Sequence, residues 1–240
     1  KTKLPFKGYI RTNWSKDPFT YGAYSHIAKG SGIEDLKIAG APINDRIFFA
    51  GEAMNTNYQS TVHAAIESGQ ENAQSIISLG RKSVAVIGAG ASGLAAAKEL
   101  HAAGISTIVF EGRNRVGGRV WTDKSQGAAV DLGAAFVVGD MGNPVSELAN
   151  RANAERVEFP LEESSEDLIL NKKGKPTSKF FHSRMIKKVT IANGLGTDLK
   201  NLNINHLTQN IGKGKSSSYF GYTGIELVFT NGYAEILPTL

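Results

Sequence analysis

Apolar residues in the first half of the chain occur in short runs that alternate with segments of helical periodicity. Residues 46–51 are compact, apolar and ended by glycine, which is typical of a strand buried on both faces of a parallel sheet. From Ser60 onward, apolar and small residues recur at steps of three and four. This spacing predicts a helix with Ser60 or Thr61 as N-cap and Gly80 at its C-terminal end. Residues 46–87 are therefore predicted to form one β-α-β crossover.

The alternation continues through the following residues. Residues 83–88 predict a second strand, residues 94–103 a helix that ends at Gly104, and residues 106–110 a third strand. Repeated strand–helix units indicate an α/β fold, Rossmann-like, with a parallel central sheet. Residues 8–40 contain many turn formers and aromatic residues, and for them we predict loops and short strands.

The pattern is less regular in the second half. Residues 143–151 predict a helix that begins at an Asn-Pro pair, and residues 160–218 are polar. The apolar run 225–229 precedes a turn at 231–232 and an apolar segment without a cap, an ending that indicates a truncated chain.

Composition narrows the possible functions. The 240 residues predict one or two domains, and the apolar (41%) and charged (20%) fractions are those of a globular protein. The absence of cysteine excludes disulfides, thiolate metal sites and thiol catalysis. The five histidines show no ligand spacing, so no metal is predicted. No apolar run is long enough for a membrane span and no secretory signal is visible, so we expect an intracellular, cytoplasmic location.

The net charge of +5 is concentrated in one segment. Residues 171–215 hold ten Lys/Arg against the single acid Asp198, a local net charge of +9. A basic segment can bind phosphates, yet this one has few aromatic residues for base stacking and no recognition-helix pattern. We favour a solvated surface segment, with no nucleic-acid or membrane partner, and leave a basic interaction module as an alternative.

A glycine-rich motif lies where the predicted strand 83–88 meets the next helix. It has the form G-x-G-x-x-G, and Glu111 follows at the end of the next strand, 18 residues after its last glycine. In this context the first glycine permits the tight turn, the second lets a pyrophosphate approach the backbone, and the third permits close helix–strand packing. The helix N-terminus then binds phosphate and the carboxylate binds ribose hydroxyls. The predicted dinucleotide-binding residues are Gly88, Gly90, Ala91, Ser92, Gly93 and Glu111.

Residues 111–119 carry E-G-R-N-R-V-G-G-R, and D-L-G-A follows at 131–134. This segment resembles the E-x-R-x-R-x-G-G-R motif of the flavin-containing amine oxidases, which include monoamine, polyamine and L-amino-acid oxidases and the flavin-dependent histone lysine demethylases. The resemblance implies FAD rather than NAD. It also implies that ribose, pyrophosphate and flavin lie near Gly112, Arg113, Gly117, Gly118, Arg119, Gly133 and Ala134. Gly112 stands where alanine is more usual, a change that we expect to be harmless.

Residues 9–79 resemble the C-terminal portion of the same family. Residues 14–25 are similar to its W-x-x-D-P-x-x-x-G-S-Y-S motif, residues 49–52 to F-A-G-E, and residues 58–65 to Y-x-x-T-V-H-G-A. The resemblance implies that Gly51 and Glu52 lie at the cofactor and that Glu52 bonds its hydroxyls. It implies that Trp14 packs near the flavin and that Tyr24 forms one wall of an amine-binding aromatic cage. The helix starting at Ser60, Thr61 and Val62 would direct free N–H groups at the flavin and stabilise its reduced form.

The order of these sections departs from the family. The C-terminal section precedes the N-terminal one, joined at residues 78–83, and the central section is missing. A circular permutant, a chain assembled from two ends of an oxidase and a fragment bridging tandem units all explain this order. We predict an FAD-binding domain at 1–158 and a partial substrate domain at 159–240. No residue is assigned the family's flavin-contacting lysine, and Val138 stands where polyamine oxidases tend to have histidine.

The resemblance implies an FAD-dependent amine oxidase that takes a small-molecule amine as substrate. Hydride passes from the amine α-carbon to the flavin, and dioxygen reoxidises the flavin with release of hydrogen peroxide. Because the central section is missing, this single chain is expected to be incomplete. The alternatives are a non-catalytic FAD-binding or scaffold chain that needs a second polypeptide, and an L-amino-acid oxidase rather than a polyamine or monoamine oxidase.

Overall fold

The computed structural model of the protein describes residues 8–159 and 227–240. The described helices are α1 (Ile33–Gly40), α2 (Val62–Ser78), α3 (Ala91–Ala102) and α4 (Pro144–Arg151). The strands are β1 (Ser83–Ile87), β2 (Ser106–Phe110), β3 (Thr122–Asp123), β4 (Val130–Asp131), β5 (Phe136–Val137), β6 (Arg156–Glu158) and β7 (Leu227–Phe229). Short 3₁₀ helices cover Trp14–Lys16, Glu52–Met54 and Tyr233–Thr239.

The β1-α3-β2 unit confirms the strand–helix–strand prediction for residues 83–110. The two strands pair in parallel, from Ser83 opposite Ser106 to Ile87 opposite Phe110. Helix α3 begins three residues earlier than predicted, because Gly90 acts as its N-cap and the Leu94 N–H donates to the Gly90 carbonyl at 2.9 Å. The helix thus starts inside the glycine-rich motif.

Helix α2 packs directly against α3. The Thr61 hydroxyl accepts the Ala64 N–H at 3.1 Å and therefore acts as the N-cap. Gly80 follows the helix with φ +67°, as predicted for the residue after a helix C-terminus. At the crossing, a Cβ on Gly69 would lie 2.1 Å from the Ser92 carbonyl oxygen. The two backbones therefore touch, which fixes the first turn of α3 against α2.

The predicted strand at 46–51 is wrong. No strand of the described chain pairs with this segment, and Ile47 is 53% exposed rather than buried. Its backbone groups are instead bonded by α2 side chains: Asn72 donates to the Phe49 carbonyl at 3.0 Å, and the Gly51 N–H donates to Ser68 Oγ at 3.2 Å. Polar residues on the helix thus take the place of a neighbouring strand, and the predicted crossover lacks its first strand.

The prediction of loops and short strands for residues 8–40 is also wrong in part, because this segment contains α1 and forms no strand. The Gly32 N–H donates to the Asp35 carboxylate at 2.8 Å, which caps the helix. Lys37 pairs with Glu34 at 2.6 Å on the exposed surface. These local interactions stabilise a helix that has no buried residue, so periodicity did not reveal it.

The last described residues belong to the main core. Strand β7 lies between β5 and β6 and is antiparallel to both. Tyr233 and Ile236 are buried beside Ile66 of α2. Residues 227–240 thus pack with the first predicted domain rather than apart from it, and the division at residue 158 stays a prediction.

The two remaining sequence predictions concern helix α4 and the basic segment. Helix α4 is confirmed, with Asn143 as its N-cap accepting the Val145 N–H at 2.9 Å. The basic segment 171–215 lies outside the described residues. In the described part of the chain, no helix combines the length and the apolar character needed to cross a membrane.

Candidate functional site

One cavity of about 1040 Å³ collects the residues predicted from the two sequence sections. Every predicted site residue except Gly93 lines it. The walls come from the loop before α2, the start of α3, the carboxyl ends of β1 and β2, and residues 117–120 and 133–138. A volume near 1000 Å³ is at the upper end for small-molecule and cofactor sites, which suits an extended dinucleotide.

The glycine-rich loop forms the phosphate side of the cavity. Gly88 has φ +100°, a conformation that favours glycine, and nothing lies within 4 Å of where a Cβ would project at Gly88 or Gly90. The backbone is therefore open toward the cavity. The first N–H groups of α3 have no partner within the helix and present a positive dipole end there, an arrangement that binds anions.

Gly93 serves packing rather than the cavity wall. A Cβ at this position would lie 2.0 Å from the Gly88 carbonyl oxygen and 3.2 Å from Val86 Cγ1. Only glycine permits α3 to approach β1 this closely, which is the part that the motif predicts for its third glycine.

Glu111 joins the two loops at the ends of β1 and β2. Its carboxylate accepts the Ala89 N–H at 2.7 Å and the Arg113 N–H at 2.8 Å, one on each oxygen. Burial alone would raise the pKa of this carboxyl, but the two N–H groups and the nearby Arg113 charge hold the pKa below its usual value of 4.5. The ionised group keeps lone pairs for further donors such as ribose hydroxyls.

Gly117, Gly118 and Gly133 bring backbone close to the same loop. The Gly117 N–H donates to the Ala89 carbonyl at 2.7 Å, and Gly117 has φ +96°. At Gly133 a Cβ would lie 1.8 Å from the Arg119 carbonyl oxygen, and the Ala134 N–H donates to that same oxygen at 3.1 Å. These glycines let three chain segments meet at the cavity without side chains between them.

Glu52 is buried and all of its bonds are made within the protein. One oxygen accepts the Ser25 N–H at 3.0 Å and Arg119 Nη1 at 2.7 Å, and the other accepts Ser25 Oγ at 2.6 Å and the Ser60 N–H at 2.7 Å. These four bonds use the four lone-pair positions of a carboxylate. The expected bonds to cofactor hydroxyls would displace one of them, so the geometry favours a positioning part for Glu52. It holds Ser60, which has φ +69°, at the start of α2.

Residues 17–19 close over the β2 end of the cavity. Asp17 pairs with Arg113, which lowers the pKa of the Asp17 carboxyl. The Arg113 guanidinium lies 4.9 Å from the centre of the Phe19 ring. A Cβ on Gly112 would lie 2.6 Å from Phe19 Cε1. The glycine at 112, where the family usually has alanine, thus makes room for this ring, and the two positions are sterically coupled.

Trp14 and Tyr24 approach the cavity from the same section. Trp14 Nε1 donates to the Leu132 carbonyl at 3.0 Å, and its ring meets Trp121 edge to face at a centroid distance of 6.0 Å. The Arg115 guanidinium lies over the Trp121 ring, 4.5 Å from its centre. Tyr24 is partly buried, and burial raises the pKa of its hydroxyl. Trp14, which lines the cavity, is therefore held by a hydrogen bond and by a ring contact.

Sequence reasoning missed several cavity residues. Ile87 and Phe110 line it as the last residues of β1 and β2, and the position of Gly88 and Glu111 directly after them could have identified both. His63, which the sequence places in the flavin-facing helix and favours as structural rather than catalytic, also lines it; the residue is buried, with Nδ1 3.4 Å from the Asn143 amide and its ring against Tyr58. Its contact with Asn143 joins residues 80 apart, which no local pattern reveals.

Comparisons with known proteins identify the family of the chain. A sequence profile described as flavin containing amine oxidoreductase matches residues 2–77 and 91–209. The chain is 45% identical over 73 residues to lysine-specific histone demethylase 1 homolog 1 of Oryza sativa subsp. japonica, a match that covers 30% of this chain and 9% of that protein. It is 54% identical over 66 residues to lysine-specific histone demethylase 2 of Homo sapiens (27% and 8%). It is 39% identical over 116 residues to lysine-specific histone demethylase 1 homolog 2 of Arabidopsis thaliana (45% and 15%).

Among solved structures, putrescine oxidase bound to putrescine is 33% identical, with a TM-score of 0.34, over 46% of this chain and 26% of that one. The chain matches at most 15% of the length of the three demethylases named above. The profile, by contrast, covers most of the sequence and reaches the cavity from both sections, although residues 78–90 lie outside the match. The chain belongs to the flavin-containing amine oxidoreductase family, whose cofactor is FAD.

Proposed function

We propose that this chain is the FAD-binding part of an amine oxidase that acts on a small amine, and that a second polypeptide carrying the central section completes it. The observation that carries the proposal is the cavity at which Glu111 and the start of α3 meet Glu52, Trp14 and the start of α2. Two sections that resemble opposite ends of the family therefore surround one site of cofactor size.

Each part of the cavity has a defined task in this proposal. The N–H groups at Ala91 and Ser92 bind the pyrophosphate, and Glu111 binds a ribose. The N-terminus of α2, capped by Thr61 and held by Glu52, faces the flavin pyrimidine edge with its free N–H groups and positive dipole end. When bound, FAD would supply the two-electron oxidation of the amine, with dioxygen as the final electron acceptor.

Trp14 and Tyr24 orient the amine beside the flavin. Trp14 is fixed by its bond to Leu132, and partly buried Tyr24 lines the same cavity with a ring of the kind that binds cations. A complete site must also exclude water and hold the amine in a reactive geometry, effects that supply several kcal/mol of barrier reduction. We expect these 240 residues alone to bind FAD and to oxidise amines negligibly, because they show no counterpart of the family's central section, which would close the site.

Flavin binding is tested by titrating the purified chain with FAD and recording the visible spectrum after removal of free cofactor. Gly90→Leu fills the open side of the phosphate loop and should abolish binding, whereas Gly22→Ala, at a position with nothing within 4 Å, should not change it. A colourless wild-type protein, or a Gly90→Leu protein that retains stoichiometric flavin, would contradict the cofactor site.

Catalysis is tested by anaerobic stopped-flow mixing of the loaded chain with benzylamine, spermine, spermidine and L-amino acids. We expect no rapid bleaching of the flavin by the chain alone, and bleaching after addition of a polypeptide that carries the family's central section. Rapid reduction of the chain alone, with peroxide on admission of oxygen, would show that no second polypeptide is needed. Failure to bleach with every central section tried would favour a non-catalytic FAD-binding chain.

A further inference from the structure

The turn that contains Phe19 is anchored to the loop that follows β2. The Asp17 carboxylate accepts the Phe19 N–H at 3.0 Å and pairs with Arg113. One carboxylate thus fixes the backbone of the turn and joins it to the loop. The Arg113 guanidinium lies over the Phe19 ring, and the ring edge lies against Gly112. The position of the Phe19 side chain is therefore determined by contacts with both sections of the chain.

Phe19 lines the cavity, yet 58% of its surface is exposed. Phe110, the last residue of β2, also lines the cavity and is 54% exposed. Phe110 directly precedes Glu111, and Phe19 lies against the glycine that directly follows Glu111, so two exposed aromatic residues lie near this carboxylate. Aromatic side chains supply large contact areas in binding sites. Their exposure at the cavity wall therefore indicates a contact with a bound planar or apolar group.

The chemistry of a dinucleotide determines which group reaches these rings. In the site proposed above, the pyrophosphate lies at the start of α3 and the adenosine ribose lies at Glu111. The phosphate is bonded to one end of that ribose and the adenine to the other, so the base extends from Glu111 away from α3. The cavity residues on that side include Phe19 and Phe110. Aromatic side chains stack on nucleic-acid bases through their flat faces.

We propose that Phe19 contacts the adenine ring of FAD and makes the chain selective for FAD over FMN, which lacks the adenosine half. The inference rests on the FAD site proposed above. Gly112 is part of the same arrangement, because a Cβ there would lie 2.6 Å from Phe19 Cε1. The ring reaches its position only beside glycine, so the departure from the alanine that is usual in the family permits this base contact.

Calorimetric titration of the full chain with FAD, ADP and FMN tests the contact, because ADP carries the adenine half of the cofactor and FMN the flavin half. Phe19→Ala should weaken the binding of FAD and of ADP by about five- to a hundredfold, the range for loss of one aromatic–base contact. The binding of FMN should stay unchanged. Tyr21→Ala is the matched control and should bind all three as the wild type does. Tyr21 is an exposed aromatic residue only two positions away, and it is not among the described residues that line the cavity.

A double-mutant cycle tests the coupling between Gly112 and Phe19. Gly112→Ala must displace the ring by about 1 Å to restore an ordinary carbon–carbon contact. It should therefore weaken the binding of FAD and ADP as Phe19→Ala does. Because the displaced atoms belong to an exposed side chain, urea unfolding of Gly112→Ala should resemble that of the wild type. In the Phe19→Ala background the same substitution should cause no further loss, since it then has no ring to displace.

Several results would overturn the base contact: unchanged affinity for FAD and ADP in Phe19→Ala, an equal loss of FMN affinity, or additive losses in the double variant. ADP keeps this test separate from the flavin proposal. A wild type that binds ADP but takes up no flavin would contradict the FAD site, and the effect of Phe19→Ala on ADP would still decide the base contact. A wild type that binds neither FAD nor ADP would overturn both proposals.

Discussion

Glu111 is the residue on which the two loops of the cofactor site depend, since it bonds the Ala89 and Arg113 backbone at once. Its part could be predicted from sequence, because a carboxylate at a fixed distance from a glycine-rich turn belongs to a local motif. The position of Glu52 at the cavity could be predicted in the same way, but its hydrogen-bond partners could not. Its four partners come from residues 25, 60 and 119, and only the folded chain brings them together.

Replacement of Glu111 by glutamine should weaken FAD binding about ten- to hundredfold, corresponding to ~1.5–3 kcal/mol for bonds to a charged group. The amide is uncharged, and half of its polar capacity donates rather than accepts. Titration of the variant with FAD, followed by flavin fluorescence quenching, measures the change. Glu34→Gln is the control, because Glu34 pairs only with Lys37 in the described contacts, on the surface. Equal affinity in Glu111→Gln and the wild type would remove Glu111 from the site.

The same carboxylate should give the protein an acid-sensitive component of stability. Its pKa in the folded protein lies below the ordinary value of 4.5, so its contribution is complete above that pH and is lost as the pH falls through the folded pKa. Urea unfolding between about pH 5 and pH 3 should therefore show a shallower pH dependence in Glu111→Gln than in the wild type. Parallel curves would mean that the two N–H bonds do not stabilise the ionised form.

At the scale of elements, the crossing of α2 and α3 determines the shape of the site. Periodicity predicted both helices, and the glycine motif predicted how α3 meets β1. The prediction of a strand at 46–51 was wrong because an apolar run indicates only that a segment contacts the core, not that it pairs with a strand. Asn72 and Ser68, which bond its backbone, lie on a helix more than fifteen residues away.

Gly69→Ala should destabilise the protein by about 1–3 kcal/mol, because the added methyl group must displace the rigid Ser92 carbonyl 2.1 Å away. Chemical denaturation measures the loss. Gly22→Ala adds the same group where nothing lies within 4 Å and should change stability little. Since Ser92 also lines the cavity, the Gly69 variant should bind FAD more weakly. Unchanged stability would show that the helices can separate freely.

For the molecule as a whole, the site unites residues that are distant in the chain and belong to two sections. The sequence resemblance predicted this union, but the place of residues 227–240 in the core could not be predicted. That placement depends on β7 pairing with β5 and β6, and a three-residue strand has too little pattern to identify a partner so far away. Which residues cover the β1–β2 sheet likewise depends on contacts between residues that are distant in the chain, and no local pattern predicts such contacts.

Because the cofactor would contact both sections, FAD should stabilise the whole fold. At a concentration one hundred times its dissociation constant, a ligand that binds only the folded state adds about 2.7 kcal/mol. The melting temperature followed by circular dichroism should therefore rise with FAD concentration in the wild type and stay constant in Gly90→Leu. An equal rise in both proteins would place the flavin elsewhere.

Strands β6 and β7 are direct neighbours, with Glu158 opposite Leu227. Residues 158 and 227 thus lie side by side, so a connection between them has to span only a short distance. Closing a shorter loop changes the free energy only by a term logarithmic in its length. A Gly/Ser hairpin, or a foreign domain whose termini lie side by side, could therefore be grafted between β6 and β7, and the chain would serve as a host scaffold for new recognition modules.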